Sequence, residues 1–249
     1  MNALGQYFAL DYRGPSFTIL GWPHVWALAA LVLLNLGLFR LRGSTERVRS
    51  PARISLAVVL WGAELSWHVW NVSVGVWSAR YLLPLNLCSI FIWLCGFMLI
   101  FKDRRIYTFA YFLGIGASIQ YLATPDLGQY GFPHFRFFQA FISHGLLLTA
   151  PIYMTVVEGF RPTWRSLPRV IMWTNVYMAV IFCLNLAIGS DYLMLNIKPA
   201  TPSLLDLLPP WPYYIVFMEL IGILTLLLLY LPFAIRDRQA RRALPETSC

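Results

Sequence analysis

Apolar residues fill this chain in long runs, interrupted at short intervals by clusters of charged and turn-forming residues. Crossing the hydrocarbon core of a bilayer takes roughly 20 mainly apolar residues, because about 30 Å must be covered at about 1.5 Å of rise per residue. Seven stretches meet that requirement: Gly21 to Phe39, Ile54 to Val76, Leu83 to Phe101, Ile106 to Leu122, Phe137 to Val157, Val170 to Ile188 and Tyr213 to Ile235. Lipid offers backbone N–H and C=O groups no partner, so each stretch is predicted to be a helix. The third and fourth are separated only by Lys102-Asp103-Arg104-Arg105, which predicts a tight helical hairpin. No internal repeat, low-complexity tract or long linker divides the chain, and residues 1–249 read as one membrane domain.

Composition agrees: 59% of residues are hydrophobic, only 12% are charged and ten are Trp, with a mean hydropathy of +0.63. A soluble domain carries about a quarter of its residues as charges. The fold class expected is therefore all-α and polytopic, with seven transmembrane helices.

Charge then orients the helices, since short loops rich in Lys and Arg stay on the cytoplasmic side. Arg40, Arg42, Arg47, Arg49 and Arg53 fill the first connection, Lys102, Arg104 and Arg105 the third, Arg161, Arg165 and Arg169 the fifth, and Arg236, Arg238, Arg241 and Arg242 the tail. The even connections hold Arg80, Arg136 and Lys198, and the N-terminal segment Arg13. The amino end is expected outside and the carboxyl end inside, in what reads as a bacterial cytoplasmic membrane. The net charge of +8 is then an orientation signal and not a nucleic-acid footprint. Residues 1–20 lack the basic start and cleavage site of a signal peptide. Phe8, Tyr12, Phe17 and Trp22 make them an outer interfacial segment with aromatic anchors, and residues 236–249 form a basic cytoplasmic tail.

With that orientation each polar residue acquires a depth. Cys88 falls roughly 8 Å below the outer end of the third span and His144 roughly 11 Å below that of the fifth, at about 1.5 Å per residue. Glu64, His68 and Asn71 follow i, i+4, i+7 spacing and share one face of the second span. Gln120, Asn185 and Glu219 fall in the outer third of the fourth, sixth and seventh spans, while the inner half is almost purely apolar apart from Asn35. This asymmetry predicts a polar cavity open toward the outer face. Ionisable groups at such depth cost roughly 2.5 to 3.5 kcal/mol each on insertion scales and mark interiors where something is bound or moved. Structural readings compete: Glu64 with His68 as a buried pair, Asn185 and Gln120 as interhelical hydrogen-bond glue, and Cys88 as a packing residue.

The chemistry open to a thiol and an imidazole at one depth is nucleophilic. His144 would take the Cys88 proton, the thiolate would attack an ester carbonyl, and the imidazolium would return the proton to the departing alcohol. Asn86 would donate to the developing oxyanion or orient His144. Four cysteines, Cys88, Cys95, Cys183 and Cys249, show no CxxC pair, so neither a zinc module nor a disulfide framework is indicated. Cys95, one heptad beyond Cys88, reads as a small packing residue.

Several ordered motifs carry a resemblance over nearly the whole chain: Leu83-Pro84-Leu85-Asn86-Leu87-Cys88, Phe112-Leu113-Gly114-Ile115-Gly116-Ala117, Ala123-Thr124-Pro125-Asp126-Leu127, Phe141-Ile142-Ser143-His144-Gly145, Asn185 to Met194, Lys198-Pro199 and Trp211-Pro212-Tyr213-Tyr214. In this order and spacing they resemble the YwaF-like family of bacterial integral membrane proteins, related to the animal transmembrane protein 164. The resemblance implies a seven-helix fold and, by analogy with the animal relative, a cysteine acyltransferase that moves fatty acyl chains between phospholipids. Cys88 would be the nucleophile and His144 its partner. A more distant similarity to the androgen-induced-protein lipid hydrolases points to the same geometry serving hydrolysis. The family usually has His two residues before the Cys, where this chain has Asn86. Pro125, Asp126, His134, Arg136, Asp191, Tyr192 and Lys198 belong to the outer-loop motifs, and Arg136 or Lys198 would suit a lipid phosphate.

Three functions therefore stand at this point: acyl transfer between phospholipids or lysophospholipids through a Cys88 thioester, lipid ester hydrolysis by the same pair, and a proton-coupled carrier or lipid-binding protein using Glu64, His68 and Glu219. A metal held by Glu64, His68 and His144 is a weaker option, and no cofactor is expected. The partners expected are membrane phospholipids, and oligomeric state is left open.

Overall fold

A computed structural model of the protein describes residues 3–198 and 204–242; Pro199, Cys249 and residues 243–249 of the basic tail lie outside the described residues. Among the described residues the chain is helical, without strands. Its long helices are α1 (Trp22–Gly37, prolonged by a 3-10 turn, Leu38–Leu41), α2 (Glu46–Ser73), α3 (Leu87–Phe101), α4 (Arg104–Ala123), α5 (Phe135–Val156), α6 (Ser166–Ile188) and α7 (Tyr213–Arg242). Each coincides with one predicted span. Five of them are long and apolar enough to cross a membrane: Trp22–Leu41, Arg104–Ala123, Phe135–Val156, Ser166–Ile188 and Tyr213–Ala240. The helix Leu87–Phe101 is shorter, and in α2 the polar Glu64, His68 and Asn71 dilute an otherwise apolar run. The protein is a multi-pass helical membrane protein.

Helix boundaries depart from the predicted ones for local reasons. α2 begins at Glu46, eight residues before the predicted Ile54, after an extended Thr45 (φ −70°, ψ 158°) and with an acidic residue at its positive end. Arg47, Arg49 and Arg53 are consequently helical and not in a loop. α3 begins at Leu87, four residues after the predicted Leu83. Pro84 disfavours helical geometry for the residue before it, and Asn86 is extended (φ −71°, ψ 151°) at the N-cap. Cys88 is therefore in the first turn of α3 and not deeper along it. The hairpin turn shrinks to Lys102 and Asp103: Lys102 adopts a left-handed conformation (φ 53°, ψ 39°), and the Asp103 carboxylate accepts from Arg105 N and Ile106 N.

α5 is the central element, packed against α1, α2, α3 and α4. Small residues let its neighbours approach. A Cβ on Gly145 would lie 2.2 Å from Leu31 on α1, and one on Gly96 of α3 would lie 2.0 Å from the Trp61 indole of α2. α6 and α7 pack on each other and on α4, presenting most of their apolar surface outward, as helices in lipid do.

Connections gather at two opposite ends. At one, Lys102 Nζ bonds Glu46 and Glu158 at 2.9 Å each, Arg53 donates to Ile100 O and Arg161 pairs with Asp237 at 2.5 Å. Arg53, predicted in a loop, and Glu158 have buried side chains 4.0 Å apart, so this end is not purely apolar. At the other end, the N-terminal segment is bonded into the connection before α5, through Phe17 N to Gly128 O, Phe135 N to Tyr7 O and His134 Nε2 to Ala9 O. Phe8 stacks on Phe135, and Phe17 packs on His24 and Phe141. These aromatics, predicted as interfacial anchors, cover the entrance to α5.

Candidate functional site

Cys88 owes its position to the four residues before it. Leu83, Pro84, Leu85 and Asn86 are non-helical, and side chains from distant parts of the chain hold their backbone. Tyr192 OH accepts from Leu83 N at 2.8 Å and donates to Ala79 O at 2.7 Å. Tyr177 OH donates to Leu85 O at 2.7 Å. Asn86 Oδ1 accepts from Leu193 N at 3.0 Å, so this oxygen ties the α3 start to the 190s loop. Asn185, buried at the end of α6, orders that loop: its Oδ1 accepts from Ser190 Oγ and Tyr192 N, and its Nδ2 donates to Tyr192 O. Cys88 follows as a free thiol at the α3 N-terminus, where unpaired backbone N–H groups favour negative charge.

His144 projects from the middle of α5. Its Nδ1 lies 2.9 Å from Ala140 O, an atom that only accepts, so Nδ1 carries the proton and Nε2 the lone pair. The Tyr121 ring lies flat on the imidazole, with centroids 3.5 Å apart and planes 7° apart. Tyr121 OH accepts from Arg136 Nη2 at 3.3 Å. The Arg136 guanidinium also bonds Gln139 Oε1 and sits over the Trp67 ring, 4.0 Å from its centroid. Gln139 reaches Ala63 O at 3.3 Å and Ser143 Oγ at 3.5 Å, and Ser143 Oγ lies 3.2 Å from His144 Nδ1. Arg136, Gln139 and Ser143 recur at helical spacing along one face of α5.

α2 closes this cluster. Glu64 is 4% exposed, and its carboxylate lies 3.7 Å from His68 Nε2. Trp77 Nε1 donates to His68 Nδ1 at 3.2 Å, so the His68 proton sits on Nε2, facing Glu64. Arg136 acts electrostatically on Glu64 and on His144, and Glu64 and Tyr121 both lie within electrostatic reach of the Cys88 sulfur. No hydrogen bond joins that sulfur to His144 among the described residues.

The predicted site residues thus separate into two groups. Cys88, His144, Glu64, His68 and Arg136 share the region between α2, α3, α4 and α5. Asn71 bonds Trp67 O within its own helix. Gln120 is exposed because it stands two residues from each of the buried Ser118 and Leu122, on the opposite side of α4. Asn185 and Tyr192 order the loop that holds the α3 start. Lys198 Nζ donates to Leu208 O at 2.7 Å and faces the Tyr214 ring, so its charge is engaged away from Arg136. Glu219 accepts from Asn175 at 2.7 Å between α6 and α7, a different neighbourhood from Glu64 and His68. Sequence reasoning missed Tyr121, Gln139 and Ser143. Helical spacing from His144 points to Gln139 and Ser143; the Tyr121 stack crosses between helices and leaves no sequence signal.

Two hollows are formed elsewhere. One, of about 650 Å³, is lined by Trp22, Trp26, Leu31, Phe138, Phe141 and Ile142, between α1 and α5. The other, of about 560 Å³, lies beside Asn185, Asn196 and Trp211. Neither is lined by Cys88 or His144.

The family model described as the TMEM164 family matches residues 19–230. No match was found among curated proteins or among solved structures.

Proposed function

Because the chain belongs to the TMEM164 family, we propose that this membrane protein moves a fatty acyl chain between phospholipids and lysophospholipids through a thioester on Cys88. The observation that carries the reading is the convergence of a free thiol at a helix N-terminus with an imidazole whose Nε2 has no hydrogen-bond partner among the described residues and with the Arg136 guanidinium. His144 Nε2 takes the thiol proton as Sγ attacks the ester carbonyl; the tetrahedral adduct collapses, the C–O bond breaks, and the imidazolium protonates the departing alcohol. The incoming lysolipid hydroxyl reverses the sequence. Arg136 suits the substrate phosphate.

In this reading seven helices cross the bilayer, with the amino end outside and the carboxyl end in the cytoplasm of a bacterial cell. α3 supplies 15 residues, which cover about 22 Å of a core about 30 Å thick. The pinned stretch Leu83–Asn86 makes up much of the difference, and Cys88 then lies just beneath the outer surface, where phospholipid ester groups sit. Water in place of the lysolipid turns the same steps into hydrolysis, and the products tell the two apart.

The test is incubation of purified protein with phosphatidylcholine carrying a fluorescent acyl chain and with lysophosphatidylethanolamine. Labelled phosphatidylethanolamine is the expected product, with an acyl group on Cys88 detectable by mass spectrometry. Transfer that persists unchanged in Cys88→Ala overturns the proposal.

A further inference from the structure

We propose that the Tyr121 phenol is the donor that stabilises the oxyanion formed when Cys88 attacks the ester. The inference rests on the reading of Cys88 as nucleophile and assigns a residue absent from it.

Three observations carry it. The antiparallel α3–α4 hairpin turns on Lys102 and Asp103 alone, which returns Tyr121, in the last turns of α4, to the level of Cys88, in the first turn of α3. The ring is fixed by its stack on His144, at 3.5 Å and 7°, so the phenol has a defined direction relative to the base. The phenolic oxygen accepts from Arg136 Nη2 at 3.3 Å, while the phenolic proton has no acceptor among the described residues. A half-buried O–H without an acceptor carries a cost, and a charged donor on its oxygen makes it a stronger donor in turn. Electrostatic stabilisation of this kind acts where charge develops in the transition state.

The atoms balance with Tyr121 keeping its proton throughout. As the Sγ–C bond forms, the carbonyl π pair moves to oxygen and the thiol proton goes to His144 Nε2. The resulting oxyanion accepts from the Tyr121 O–H, and the pair returns to carbon when the alkoxide departs with the His144 proton. The phenol stands beside the base, with its ring against His144 and its oxygen held by Arg136.

The test compares wild type, Cys88→Ala, Tyr121→Phe and a protein with 3,5-difluorotyrosine at position 121, reading acyl transfer from fluorescent phosphatidylcholine to lysophosphatidylethanolamine. Tyr121→Phe keeps the ring and removes the donor, and is expected to lower kcat by about 100- to 1,000-fold, the usual effect of losing one oxyanion donor, with KM little changed. The fluorinated ring keeps the stack and sharpens the acidity of the O–H, so the rate and its pH profile should move in a way that a purely structural ring would not produce. This variant also carries the test if Tyr121→Phe does not fold. A Tyr121→Phe protein within threefold of wild type, or a rate indifferent to fluorination, overturns the donor role while loss of activity in Cys88→Ala leaves the nucleophile standing. Wild type without transfer or hydrolysis, or Cys88→Ala as active as wild type, overturns both.

Discussion

At the scale of single residues, Tyr192 shows how much one hydroxyl can hold. Its OH accepts from Leu83 N and donates to Ala79 O, so Tyr192→Phe removes the side-chain partner of a backbone donor on a half-buried residue and of an acceptor on an exposed one. Leaving a buried polar group unsatisfied costs about 1–3 kcal/mol. Thermal melts of the purified variant should show a lowered Tm, and Cys88, five residues beyond the freed Leu83 N, should react faster with a small maleimide. Asn86 belongs to the same lattice. The sequence offered it as an oxyanion donor or as an orienter of His144; its oxygen accepts from Leu193 N and fastens the α3 start to the 190s loop, a contact that leaves the Nδ2 protons out of account. Chain proximity and polarity made Cys88, His144 and Glu64 legible in advance. They could not reveal Tyr121, whose partner His144 is on another helix, or the fate of Lys198, whose amine is claimed by Leu208 O.

At the scale of elements, two glycines have opposite consequences. Gly96 faces the rigid Trp61 indole, where an added Cβ would fall 2.0 Å from Nε1. Overpacking of this kind costs about 1–3 kcal/mol, so Gly96→Ala should force α2 and α3 apart and lower Tm. Gly62 lies inside α2 with nothing within 4 Å of such a Cβ. Gly62→Ala should raise stability by about 0.5–1 kcal/mol, the helix-propensity difference. Hydrophobic runs located each of the seven long helices, and the short helices at Ala3–Gln6, Tyr192–Met194 and Leu204–Leu207 lie outside them. The ends were less legible, because they depend on Pro84, Asn86, Asp103 and the left-handed Lys102, local geometry that a run of apolar residues does not encode.

At the scale of the molecule, the two ends differ in what fastens them. The Lys102 end is ionic. Burial of Glu158 and exposure of Glu46, with side chains 6% and 51% accessible, make the two bonds from Lys102 unequal. Glu46→Ala removes an exposed, solvent-screened pair and should barely move Tm. Lys102→Met leaves the Glu158 carboxylate with Arg53 at 4.0 Å and should cost several times more, as breaking a buried pair does. The bond from Lys102 also holds the Glu46 carboxyl below its ordinary 4.5, while bonds to Glu46 and Glu158 raise Lys102 above its ordinary 10.5. A depressed carboxyl stabilises above its unfolded value and loses that contribution as pH falls through the folded one; a raised amine stabilises below its unfolded value and loses it as pH rises. Melting measured against pH should therefore be flat between these limits, and the acid-side loss should shrink in Glu46→Ala.

The pinned stretch before Cys88 has one more consequence, and it concerns time. Cys88 and His144 leave the ribosome well before Tyr177, Tyr192 and Leu193, the residues that hold Leu83, Leu85 and Asn86 in place. A nascent chain that has inserted only through α5 owns the thiol and the imidazole but not the fastening that aligns the first. Fastening of the α3 start waits on the arrival of α6 and the loop that follows it, so the stretch before Cys88 is held only when the chain is nearly complete.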